Sequence, residues 1–212
     1  MPTSSEILAA LTRVANQAFA LAMIWHVVIG IAVIAIVANW RPSQKLARAL
    51  LAAPLLSASA VAFADANWFN MFAMGALAGG LLISAMDAPP VFAQPGPMWA
   101  APIGGAMIAF AWVYPHFLRN RSPWAYLYGS PVGLVPCPTL ALVIGFTLIA
   151  GGFGSRAWSL VLAAAGLFYG IFGVARLGLL LDIALVAGAL ALCALAIAPR
   201  QLPHVLRGPH PR

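Results

Sequence analysis

Seven stretches of this chain are almost free of charge, and short polar or proline-rich segments separate them. They run over 16–39, 46–64, 67–86, 99–118, 138–153, 157–175 and 177–198. A helix needs about 20 apolar residues to cross a hydrocarbon core roughly 30 Å thick, and five of the seven reach that length easily. The 138–153 run is short and draws on the proline-rich stretch before it. The 46–86 region is too long for one crossing, and the turn-forming Asp65-Ala66-Asn67 predicts a tight helical hairpin inside it. The pattern therefore predicts an all-α protein, a polytopic transmembrane helix bundle of seven spans with six as the alternative.

Ahead of the first run, residues 5–15 place Ile7, Leu8, Leu11 and Val14 on one helical face, with Ser4 or Ser5 as the cap. Such a helix is too short to span and is expected to lie at the interface. The organisation is then an amphipathic segment over 1–15, one membrane domain over 16–198, and a disordered, basic, cytoplasmic tail over 199–212 that holds His204 and His210. Two linkers stand out. Residues 87–98, DAPPVFAQPGPM, are expected to run extended. Residues 119–138 mix proline and glycine with Trp124, Tyr126 and Tyr128, which suit a membrane-interface belt.

Composition sharpens this picture. The chain is 63% hydrophobic and 7% charged, whereas soluble domains carry about 25% charged residues. The formal charge of +7 comes from basic residues scattered through loops and tail. No basic face with interleaved aromatics exists, so nucleic acid is excluded and the lipid bilayer is the expected partner. With the N-terminus outside, the inner loops hold Arg41, Lys45, Arg48, Arg156, Arg200, Arg207 and Arg212. The outer ones hold Arg13, Arg119, Arg121 and Arg176. This bias predicts an inner-membrane, multi-pass protein with a cytoplasmic C-terminus. The first run is too long for a signal-peptide core and follows no basic cluster, so the first span is expected to be retained. Gly75-xxx-Gly79 and Gly166-xxx-Gly170 permit close helix packing. They leave open whether the packing is internal or serves a homo-oligomer or a membrane-protein partner.

Few residues can carry chemistry. Cys137 stands between Pro136 and Pro138, with Thr139 next. If the following helix starts at Pro138, Cys137 is its N-cap, where the positive helix end favours a thiolate or a bound anion. The alternative is an inert thiol in a rigid turn. A bridge to Cys193 is excluded, because the topology puts the two thiols on opposite sides. Asp182 is the one carboxylate within an apolar run and is a functional candidate by default. Its bland alternative is an interfacial pair with Arg176. His26 lies inside the first span and His116 ends the fourth, and their different depths argue against a shared haem. Met23 with His26, and Met71 with Met74, would suit a soft metal together with Cys137. No cofactor is predicted, although metal or haem remains open at Cys137, His26 and His116. No nucleophile–base triad, phosphate loop or dinucleotide fingerprint occurs, so no catalytic residue is assigned and the reading leans away from an enzyme.

The chain resembles a family of bacterial multi-span membrane proteins filed as a domain of unknown function, with a Pro-Cys-Pro-Thr signature. Three pieces carry the likeness and cover nearly the whole chain. They are ILAALTRVANQAF leading into IWHVVIGIAVI, then YPHFLRNRSPWAYLYGSPVGLVPCPTLALVIGFTLI, then GIFGVARLGLLLDIALVAG. The chain departs from the family pattern in carrying His26 where a proline-type break is expected, and in placing its last acid, Asp182, later. The resemblance implies a one-domain integral membrane protein and implies no activity. The leading expectation is a small-solute permease using the helix break at Pro136–Thr139; a carrier needs polar groups converging at mid-membrane, such as His26, Asp182 and Thr147 facing one cavity. The alternative is a non-transporting component that binds metal or haem or supports a redox or assembly complex.

Overall fold

The structure is a computed structural model and describes residues 3–119 and 121–198. The predicted tail, with His204 and His210, lies outside the described residues. Among the described residues there are nine α-helices and no strand; Ser43 and Phe92 form an isolated bridge. The helices are α1 (Ser4–Gln17), α2 (Phe19–Val37), α3 (Gln44–Ala64), α4 (Trp68–Met86), α5 (Ala100–Val113), α6 (Tyr126–Gly129), α7 (Pro136–Ile149), α8 (Arg156–Leu177) and α9 (Ile183–Ile197). Each of the seven apolar runs holds one long helix. Five of these, counting α9 with its preceding turn from Leu180, are long and apolar enough to cross a membrane; α5 and α7 have only 14 residues each.

The helix boundaries follow from local chemistry. Thr3, rather than Ser4 or Ser5, caps α1. Its hydroxyl accepts from the Glu6 N–H, and Glu6 reaches back to the Thr3 N–H at 2.7 Å, a reciprocal capping box. Asn39 closes α2 with φ of 67°, a left-handed stop that asparagine tolerates. Asp65-Ala66-Asn67 makes the tight hairpin between α3 and α4, with the Asn67 side chain accepting from the Asn70 N–H. Pro115 ends α5 by forcing Tyr114 out of helical geometry. Gly178, at φ of 70°, closes α8, and the Leu179 N–H returns to the Gly173 carbonyl.

The core is organised around α7. Twelve of its 14 residues are buried, so it is apolar all round rather than amphipathic. Its crossing with α5 is close because Gly104 and Gly145 face each other. A Cβ at either would sit 2.6 Å from the carbonyl oxygen of the other. The stretch expected to be irregular over 119–138 folds into a short 3-10 turn at Pro123–Ala125, then α6, then the buried segment 130–135. Burial in protein is what allows non-helical backbone at that place.

Hydrogen bonds gather the helix ends into two groups. At one end Ser4 binds the Arg176 carbonyl, Arg13 pairs with Asp65 at 2.7 Å, and Asn16 binds the Phe117 carbonyl. At the other, Ala93 binds the Pro42 carbonyl and Gly96 binds the Ile149 carbonyl. Successive apolar helices thus run alternately between the same two ends. α1 packs across the first end with Val14 and Ala15 buried beneath it.

A buried Tyr–Asp–Cys cluster

The Pro-Cys-Pro stretch is a helix start, but not the one expected. α7 begins at Pro136 with Val135 as its cap, so Cys137 lies inside the first turn rather than at the N-cap. Proline costs no hydrogen bond here, because the first N–H groups of a helix have no intrahelical partner. In a buried start those donors must be removed or paired. The Val135 N–H goes to the Pro131 carbonyl at 3.1 Å, and Pro136 and Pro138 have no N–H, which leaves the Cys137 amide. Thr139 stitches the approach together: its hydroxyl accepts from the Gly133 N–H at 2.9 Å and donates to the Val135 carbonyl at 2.7 Å. Pro136, Pro138 and Thr139 therefore shape the backbone, and Cys137 is the residue of the motif whose side chain meets another candidate.

That candidate is Asp182. Tyr114 donates its hydroxyl to Asp182 Oδ1 at 2.8 Å, and the Cys137 thiol donates to Oδ2 at 3.3 Å. Tyr114 and Asp182 are fully buried and Cys137 nearly so. The three come from the end of α5, the start of α7 and the turn that enters α9, all at the end of the bundle covered by α1. The starts of α7 and α9 both bring positive helix-dipole ends to the carboxylate. Among the described residues no cation forms a salt bridge with Asp182, so the expected pairing with Arg176 is corrected. Its oxygens are met by neutral donors instead.

The glycines of α8 make room for this arrangement. Gly166 faces Ala189, Gly170 faces Val186, and a Cβ at Gly173 would overlap Asp182 Oδ2. The Gly166-xxx-Gly170 pair thus serves α8–α9 packing within the chain, and its stripe ends at the carboxylate. Gly75 rests against Ser59 of α3, and Gly79 faces open space.

A second polar feature approaches the cluster from the α1 side. A cavity of about 420 Å³ is lined by Glu6, Arg13, Asp65, Asn67 and Asn70, and reaches Pro136. Asn70 of its wall accepts from the Tyr169 hydroxyl at 2.8 Å.

The remaining candidates do not join. His26 is buried with Nδ1 2.9 Å from the Ala22 carbonyl and Nε2 2.9 Å from the Trp112 carbonyl. A neutral ring donates to one of these; only the imidazolium donates to both. His116 is half-buried beyond the end of α5, against Phe117. Thr147 meets the Trp158 indole at 3.4 Å. The expected convergence of His26, Asp182 and Thr147 on one cavity is therefore corrected: each has separate partners. Cys137 and Cys193 are both free thiols. Among the described residues no three His, Cys, Asp or Glu side chains group as a metal site.

Tyr114 and Gly173 are the members that sequence reading passed over. Tyr114 stands two residues before His116, which drew attention instead. Its signal was Pro115, which ends the helix and turns the tyrosine inward. Comparison with family models, curated proteins and solved structures finds no match to this chain.

Proposed function

We propose that this protein is a multi-pass membrane carrier for a small solute, with Asp182 as the group that exchanges a proton during transport. The observation that carries the proposal is a fully buried carboxylate whose partners are the neutral Tyr114 and Cys137 side chains. An ionisable residue within a membrane bundle is costly and points to an ion or substrate pathway. A fixed cation would lock the charge in place; neutral donors leave the carboxylate free to take up a proton or a cation. The polar cavity on the α1 side reaches Pro136, the residue before Cys137, and supports an approach from that side.

The same reading takes all seven apolar helices as crossings. α5 and α7, at about 21 Å, fall short of the roughly 30 Å core. The buried segment 130–135 and the 3-10 turn Gly151–Gly154 extend α7, and 95–99 with 114–118 extend α5. Put outside, the α1 end has Arg13, Arg119, Arg121 and Arg176 and the opposite end has Arg41, Lys45, Arg48 and Arg156, four against four, so the inward bias rests on Arg200, Arg207 and Arg212 of the sequence. The proposal keeps the N-terminus outside, the C-terminus cytoplasmic and the inner membrane as the location. The cofactor alternative gains no support from His26, whose ring nitrogens both meet backbone oxygens.

The test is reconstitution into liposomes holding a pH-sensitive dye, with gradients of amino acids, sugars, organic acids and monovalent cations imposed in turn. A solute-dependent proton flux present in the native protein and absent in Asp182→Asn supports the proposal. Flux that survives Asp182→Asn, or none above empty liposomes with any solute class, overturns it.

A further inference from the structure

A separate apolar groove lies on the far side of α7 from the Asp182 cluster. It has a volume of about 470 Å³ and runs between α2, α3 and α7, with Val28, Leu51 and Phe146 among its walls. The groove exists because α2 packs on α1 and α6 rather than along α3. One bond closes its inner end: Trp25 Nε1 donates to Ser57 Oγ at 2.9 Å and ties α2 to α3 there. From Trp25 to Ile36 the α2 wall rises about 16 Å, close to one leaflet's share of a roughly 30 Å core. Ile24, Val28 and Ile36 of this wall are exposed, so the groove opens sideways to lipid.

Its other end is polar and basic. Asn39, Trp40 and Arg41 line the mouth, and Lys45 is exposed on the next turn. Arg41 is exposed and meets Asn39 through Nε at 3.4 Å, a contact that does not use its two terminal nitrogens. No Asp or Glu lines the groove. We infer that the groove is a binding site for an anionic glycerophospholipid, one acyl chain lying between α2 and α3 and the phosphate held by Arg41. The length and apolar walls fit a chain. Guanidinium binds phosphate oxygens in a two-pronged geometry, and tryptophan favours the headgroup depth.

The test uses the full chain in detergent, titrated with phosphatidylglycerol and phosphatidylcholine of the same acyl chains and read by native mass spectrometry. One basic contact near the surface predicts about fivefold tighter binding of the anionic lipid. Arg41→Ala should remove that preference and Arg41→Lys should keep part of it. Val28→Trp, at an exposed position where folding is little affected, should weaken both lipids by filling the groove. Equal affinities in the native protein, a preference that survives Arg41→Ala, or full binding in Val28→Trp would overturn the inference. Displacement of phosphatidylglycerol by palmitate at equal concentration would overturn the commitment to a phospholipid.

Discussion

The two ends of the bundle each bury one charged residue type, and they handle it in opposite ways. At the α1 end the carboxylate of Asp182 is held by a hydroxyl and a thiol. At the other, the guanidinium of Arg48 is held by acceptors: the Ser84 carbonyl, Gln44 Oε1 at 3.0 Å and the Phe153 carbonyl at 2.9 Å. Neither buried charge is held by a salt bridge among the described residues; the Arg13–Asp65 pair at the α1 end is more exposed and separate from Asp182. Arginine cannot give up its proton in a protein. Its partners are mostly backbone oxygens fixed by α4 and by the turn after α7, so it is a permanent staple joining three elements. Asp182 can be neutralised by one proton, and its donors are side chains rather than fixed backbone groups. The comparison separates a charge that must persist from one that a proton can neutralise, and the transport proposal rests on that difference.

The sharpest way to break this distinction is to remove each charge. Arg48→Ala leaves three buried acceptors without their donor and should cost about 3 kcal/mol of stability, read by reversible unfolding in detergent. A loss near zero would mean that the staple carries nothing. Gly173→Ala should cost about 2 kcal/mol, because its methyl overlaps Asp182 Oδ2 and the helices must part. Gly79→Ala, on a face with nothing within 4 Å, is the control and should not destabilise. Asp182→Asn keeps the size and the Tyr114 contact, so its stability cost should stay below about 1 kcal/mol while proton flux is lost. If Asp182→Asn unfolded the bundle as strongly as Arg48→Ala, the two ends would be alike and the carboxylate would be another staple.

Much of the architecture was legible because it is carried by long apolar runs and by turn residues. The hairpin at Asp65–Asn67 and the amphipathic face of α1 are local patterns, visible in a window of a few residues. The early end of α5 was not, because Pro115 sets it; the shortness of the 138–153 run was visible, but the pairing of the buried segment before Pro136 was not, because it is tertiary. Asp182 and Cys137 stood out singly as chemistry in an apolar background. Their meeting across 45 positions did not, and nothing local marked Tyr114 as their partner, because its burial is tertiary. Gly173 is legible only afterwards: its role is the space it leaves for an oxygen from another helix.

The smallest expected effect tests whether the α1 end is the adjustable one. α1 lies over the cluster and holds its own start through Glu6, whose carboxylate accepts from the Thr3 N–H and hydroxyl. These bonds to Thr3 hold the Glu6 carboxyl below the usual glutamate range. A carboxylate whose folded value is lowered contributes fully above its unfolded value and loses that contribution as pH falls through the folded one. The capping box should therefore be intact at neutral pH and released on acidification below the ordinary glutamate range. Hydrogen exchange of the first turn of α1 should then quicken, while the start of α3, capped by Ser43 and anchored by Arg48, stays protected at the same pH. Glu6→Gln should make the α1 exchange insensitive to pH in that window. Equal acceleration at α1 and at α3 would show that acid loosens the whole bundle, and the contrast between a covered, adjustable end and a stapled one would fail.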